Sequence, residues 1–225
     1  MKKIIQRIFK KLGYEIIRYN RPSQLSINTI LSLLEQRDLF FVEIGANDGK
    51  RKDPLYEFVR KHNIPGILVE PQKELFKKLK ENYKEIDSKQ ILVNKAVGGK
   101  TGTSKMYFVE EHDGITSFDR GYVEKILKKN NKDWKIKEIE VETITLKNLL
   151  EQYKVKKIDI FQIDVEGYDY EIIKMIDFEK YKPKLIHYES KHLNRKDTVE
   201  CENYLRIQGY SVLLNGSNTL AIYKD

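Results

Sequence analysis

Phe40-Phe41-Val42-Glu43-Ile44-Gly45-Ala46-Asn47-Asp48-Gly49 is the stretch on which the fold turns. Its apolar run reads as a parallel strand buried on both faces. Gly45 and Gly49 let the backbone after it bend sharply and come close to a ligand. Glu43 and Asp48 put negative charge beside that turn, a poor seat for a pyrophosphate. The turn favours a nucleoside that carries a cation.

Outward from this strand, the pattern alternates. Pro54 reads as a helix start, and Leu55, Phe58 and Val59 supply the helix's buried face. Ile67-Leu68-Val69 is a second short strand, closing on Glu70-Pro71. An amphipathic helix runs through Leu75, Phe76, Leu79 and Tyr83, and a third strand from Ile91 is expected to stop at Val97-Gly98-Gly99. The middle differs: Met106–Val109 and Ile136–Ile144 alternate as strands, with Glu110–Phe118 and a lysine-rich stretch between them. This reads as an insertion or lid near the sheet's carboxyl edge. Lys157–Ile163 is again a strand, then a helix from Tyr168 to Met175, the strand Leu185–Glu189 and a helix from Thr198 to Gln208. The last strands, around Asn215-Gly216, form a hairpin. The expected fold is α/β and Rossmann-like, a mostly parallel sheet finished by a C-terminal antiparallel hairpin. That finish is the habit of class I methyltransferases, not of dinucleotide-binding domains.

The 225 residues, 40% hydrophobic with fourteen Tyr and nine Phe, suffice for one core, and 34% charged residues give a heavily solvated surface. Cys201 alone excludes an internal disulfide framework. Of the net charge of +8, residues 1–21 hold +6, with seven basic residues against Glu15. Ile4, Ile5, Ile8, Phe9, Leu12 and Ile16 recur there at helical spacing. Residues 1–36 are therefore expected to be a short basic amphipathic helical arm, with the catalytic domain at 37–225. The arm packs on the domain or meets an anionic membrane surface; it is neither a secretory signal nor a membrane span. The expected setting is cytoplasmic, with peripheral membrane contact through the arm and no nucleic acid as partner.

Ligands on such sheets bind beyond the carboxyl ends of the strands. Those ends here carry Glu43, Glu70, the pair Asp164 and Glu166, and Glu189 after His187. A carboxylate at the end of a buried strand is unfavourable unless it is paired or binds something. Glu70 lies 25 residues after Gly45, where a second strand presents an acid to ribose hydroxyls. The dinucleotide fingerprint is broken by Asn47 and Lys50 in place of its later glycines, and no phosphate-binding P-loop is present. S-adenosylmethionine, with its ammonium and sulfonium, fits this acidic edge best.

The strings VEIGANDG, VEP, NKAVG, GITSF, TITLKNLL, IDIFQIDVEGYDYEII and NTLAIY, in that order between residues 39 and 223, resemble the FkbM family of S-adenosylmethionine-dependent methyltransferases. The resemblance implies methylation of a hydroxyl, usually on a sugar or a complex natural product. It implies that Glu43, Gly45, Asn47 and Gly49, with Asp48 beside them, frame the methionine part. Glu70 would take the ribose and Ala96 would flank the adenine. The family's Asp-x-Glu-Gly falls on Asp164, Glu166 and Gly167, while Thr116-Ser117 stands where a serine pair is more common. A sugar hydroxyl is a reluctant acid, so a base or metal is expected. Asp164, which would also border the cofactor, is the first candidate, with Glu166 and His187 behind it. Asp164 and Glu189 together could hold a divalent cation such as Mg²⁺. Trp134 is a candidate for lining the groove of a small-molecule or glycan acceptor. The expected activity is O-methylation of a surface-glycan sugar or its precursor. The rivals are an RNA or protein methyltransferase, suggested by the basic arm, and a catalytically silent cofactor-binding module.

Overall fold

Four-residue strands with no exposed position organise the chain: β1 (Phe41–Ile44), β2 (Gly66–Val69) and β8 (Ile160–Ile163), joined by β9 (Leu185–Glu189). A computed structural model describes residue 31, residues 38–86 and residues 89–223, with only the backbone at 113 and 114. The seven-stranded sheet has the order β10-β11-β9-β8-β1-β2-β3, with β3 at Gln90–Val93, β10 at Tyr210–Asn215 and β11 at Asn218–Tyr223. β9, β8, β1, β2 and β3 are parallel; β11 runs antiparallel to β9 and to β10. This is the Rossmann-like arrangement of methyltransferases. The strand order reverses between β1 and β8, so a crevice opens beyond their carboxyl ends.

Each face of the sheet is covered. Val42, Ile44, Phe161, Ile163, Ile186 and Tyr188 meet α4 (Leu146–Gln152), α5 (Asp169–Lys174) and α6 (Arg195–Ile207) on one side. Phe41, Leu68, Ile160 and Leu185 meet α1 (Tyr56–His62) and α2 (Lys73–Tyr83) on the other. Burial on both faces explains the continuous apolar runs, each large side chain adding about 1.5–3 kcal/mol. The terminal hairpin turns at Gly216-Ser217, with Asn215 paired to Asn218 and Gly216 at φ 72°, a place for glycine at the first central position.

Three expectations are corrected. The third strand does not run through to Val97. It ends at Val93, because the Asn94 side chain donates to the carbonyls of Glu70 (2.8 Å) and Pro71 (3.0 Å) and turns the chain. Ala96–Val97 then forms β4 in a second sheet of order β4-β7-β5-β6, with β5 at Gly102–Val109, β6 at His112–Ser117 and β7 at Ile136–Ile144. Glu110–Phe118 is thus mostly strand, and α3 (Arg120–Lys129) packs on this sheet through Val123 and Leu127. Pro54 does not open α1: the Asp53 carboxylate accepts from Leu55 N (2.7 Å), and the helix begins at Tyr56. The basic arm of residues 1–36 lies outside the described residues except Leu31, which is helical and fully buried in the α1/α2 layer.

Candidate active site

The parallel registers set Glu43 beside Gln162, and Gln162 beside His187, on the face that α1 and α2 cover. They form a polar row across three strands, one residue before the carboxyl edge in β1 and β8. The row is buried at 3%, 4% and 3% exposure. It floors a cavity of about 400 Å³, walled by the loops after β1, β2, β8 and β9 and roofed by Thr116, Ser117 and Phe118 of the second sheet. Gln72 Nε2 donates to Thr116 Oγ1 (3.1 Å), which ties the roof to the main sheet.

The turn after β1 reaches into this cavity with Gly45, Ala46 and Asn47. Gly45 is at φ 84°, and a Cβ there would lie 1.9 Å from the Asp164 carbonyl oxygen; only glycine lets the ends of β1 and β8 touch. Asn47, at φ 52°, donates its N–H to Glu70 Oε2 (2.9 Å), while Glu70 Oε1 accepts from Gln72 N (2.8 Å). Glu70 thus joins the turn after β1 to the start of α2 and still faces the cavity, as Ala96 does from β4. Asp48 and Gly49 are not in its wall. The Asp48 carboxylate curls back onto Lys50 N (3.1 Å), Arg51 N (2.8 Å) and Arg51 Nε (3.2 Å). Gly49 sits under α2, where a Cβ would strike Leu79 and Tyr83. Side by side in sequence, they face away because Asn47 reverses the chain.

Acid dominates the far wall. Burial, with Asp53 and Asp164 nearby, pushes Glu43 well above the ordinary carboxylate range, and its Oε2 has no hydrogen-bond partner among the described residues. Asp53 and Glu70 are each pushed up to about 7, mainly by burial. Asp164 also rises to about 7, through surrounding protein and then the charges of Glu189 and Glu166, yet its carboxyl is open to the cavity. Buried Asp169 accepts from Glu189 N (3.1 Å) and Gly167 N (3.2 Å), fixing the acidic turn after β8 against the end of β9. His187 Nδ1 lies 2.5 Å from Gln162 Oε1, and burial holds the ring down to about 4. A neutral imidazole donating from Nδ1 presents Nε2 as a weakly basic acceptor.

A carboxyl with a raised pKa holds, in the folded state, a proton the unfolded chain has released. Its stabilisation is complete below its ordinary value and lost as pH rises through the folded one. His187 acts oppositely, but only below its ordinary 6.5. From about pH 5 to about pH 7.5, the protein alone should therefore lose thermal stability, because folded Asp53, Glu70 and Asp164 still hold protons that the unfolded chain has released, three groups against the single opposing His187. Melting curves across that range check this; a flat or rising midpoint contradicts it.

The chain that builds this cavity has relatives. The family model for the methyltransferase FkbM domain matches residues 43–212. The chain belongs to the FkbM methyltransferase family. Among solved structures it is similar to the methyltransferase FkbM of Methylobacillus flagellatus KT, at 16% identity and TM-score 0.59 over 90% of this chain and 48% of that one. It therefore spans about half of that protein's length. SAH-bound Podospora anserina methyltransferase PaMTH1 (13% identity, TM-score 0.46, 83% and 72% covered) is also similar. So is the precorrin-6y C5,15-methyltransferase of Geobacter metallireducens GS-15 (13%, TM-score 0.48, 92% and 92%). No curated protein matches the chain.

Within this FkbM domain the candidate residues divide. Glu43, Gly45, Asn47, Glu70, Ala96, Asp164, Glu166, His187 and Glu189 converge on one cavity; Asp48 and Gly49 do not. Asp164 and Glu189, the pair expected to hold a cation, both face the cavity, and among the described residues the ligand atoms of Glu166, Glu189 and His192 lie within 4.8 Å of one another. Trp134 stacks on His112 (centroids 5.9 Å apart) in the small core under α3, and it is His112 that reaches the cavity. Sequence reasoning missed Gln162, Asp53 and His192. Gln162 carried a usable signal, as the lone polar residue of β8 at the register of Glu43 and His187.

Proposed function

We propose that the protein transfers a methyl group from S-adenosylmethionine to a hydroxyl oxygen, on a sugar of a surface glycan or its activated precursor. The residues suit that cofactor. Glu43 offers a buried, unpartnered oxygen to an ammonium, Glu70 is the acid for ribose hydroxyls, and Gly45 with Asn47 frames the methionine part. Ala96, Met106 and Phe118 supply an apolar wall for the adenine. Bound there, the cofactor supplies a methyl already activated by its sulfonium.

What remains for the chain is to orient the acceptor, exclude water and take a proton. The observation that carries the reading is Asp164: a carboxyl open to the cavity, beside the turn proposed for the cofactor, pushed up to about 7. A base of that strength is matched to neutral pH. His187, held near 4, is a hydrogen-bond acceptor in this scheme and a poor proton store. Glu166 lies beside Asp164 and raises its pKa. In this reading the work is cytoplasmic, and the basic arm is its contact with an anionic membrane surface. Incubation with methyl-labelled cofactor and a panel of glycosides and nucleotide sugars, with products read by mass spectrometry, tests it. Label on a sugar oxygen is expected; label confined to amines of RNA or protein overturns it.

A further inference from the structure

His192 Nε2 lies 3.0 Å from Glu166 Oε2 and 3.2 Å from Glu189 Oε2. A ring nitrogen carries at most one hydrogen, so it can satisfy only one of these oxygens in either protonation state. Glu189 is 8% exposed in its side chain, and among the described residues its buried Oε2 has no hydrogen-bond partner beyond this approach of His192. Its other oxygen is already taken by Lys191, and its backbone is pinned by Asp169. Glu166 holds φ 51°, a left-handed conformation uncommon outside glycine, and this brings its carboxylate to the same point.

We propose that Glu166, Glu189 and His192 form a binding site for a divalent cation of the Mn²⁺ or Mg²⁺ class, at the acceptor side of the cavity. The three donor atoms lie within 4.8 Å of one another. Two donors bound cis at about 2.1 Å from an octahedral ion stand about 3.0 Å apart, which is the spacing His192 keeps to both carboxylates. The ion would satisfy all three atoms, where a proton satisfies one pair. Charge favours it too, because Asp164, Glu166 and Glu189 crowd one wall with Lys191 as the close cation. Two carboxylates suit Mg²⁺ or Mn²⁺, and the imidazole shifts the choice toward the transition ion. Glu166 and Glu189 both face the cavity, so the ion's remaining positions are open to vicinal hydroxyls of an acceptor. That last role rests on the proposed methyl transfer; the binding does not.

Titration of the chelator-treated 225-residue chain with Mn²⁺, followed by loss of the free-ion electron paramagnetic resonance signal, tests the site. One bound Mn²⁺ per chain is expected, displaceable by Mg²⁺. His192→Ala and Glu166→Gln should each weaken it by about tenfold or more. S-adenosylhomocysteine affinity of His192→Ala should stay as in the parent. No binding at about 1 mM Mn²⁺, the weak end for such sites, overturns the proposal, as does binding that survives both substitutions. Because no acceptor or turnover enters the measurement, its failure leaves the methyl-transfer reading standing, and the reverse holds.

Discussion

Asp164→Asn should lower turnover by about 10²–10⁴-fold while leaving S-adenosylhomocysteine affinity nearly unchanged. The amide keeps the size of the side chain and the backbone carbonyl against which Gly45 packs, so the turn after β1 survives. What it lacks is the proton-accepting oxygen. In the parent, the rate should climb with pH through about 7, because the carboxyl must be ionised to act. In the variant that rise should vanish. Single-turnover kinetics across this range measures both effects; a pH-dependent variant of near-parental rate removes Asp164 from proton transfer.

Gly45→Ala has the other large effect. The added methyl would lie 1.9 Å from the Asp164 carbonyl oxygen, and the φ of 84° is itself strained for a residue with a Cβ. Strain and displaced backbone together are expected to remove about 3 kcal/mol or more of stability, with cofactor binding lost in whatever remains folded. Gly99→Ala is the control, since nothing lies within 4 Å of its position, and it should be close to neutral. Urea midpoints of the two variants decide the matter. Equal midpoints would mean the contact between the ends of β1 and β8 is slack.

The parallel core was legible because its physics is local. Phe41–Ile44 and Ile160–Ile163 are buried on both faces, and that burial writes an uninterrupted apolar run into each strand. The glycine at 45 and the acids at 43, 70, 164 and 189 stood at strand ends, where a period-two reading can place them. The break after Val93 was not legible. It is made by one Asn94 amide reaching the carbonyls of Glu70 and Pro71, a contact between residues more than twenty apart. The sides of the turn after β1 were equally hidden. Asn47, Asp48 and Gly49 are neighbours in sequence, yet the left-handed Asn47 sends one toward the cavity and the next two toward Arg51 and α2. His192 joined the site unannounced, because it lies past the end of β9 and only its approach to Glu166 gives it meaning.

The central claim is electrostatic: buried Glu43 and the acids around it make the cavity a seat for a cationic nucleoside and not for a diphosphate. Calorimetric titration of one preparation with S-adenosylmethionine and with NAD⁺ tests it most directly. Binding of S-adenosylmethionine, its loss on Glu43→Gln, and no heat from NAD⁺ are the predicted results. NAD⁺ binding at least as tightly, or a Glu43→Gln protein that binds S-adenosylmethionine as the parent does, would contradict the account.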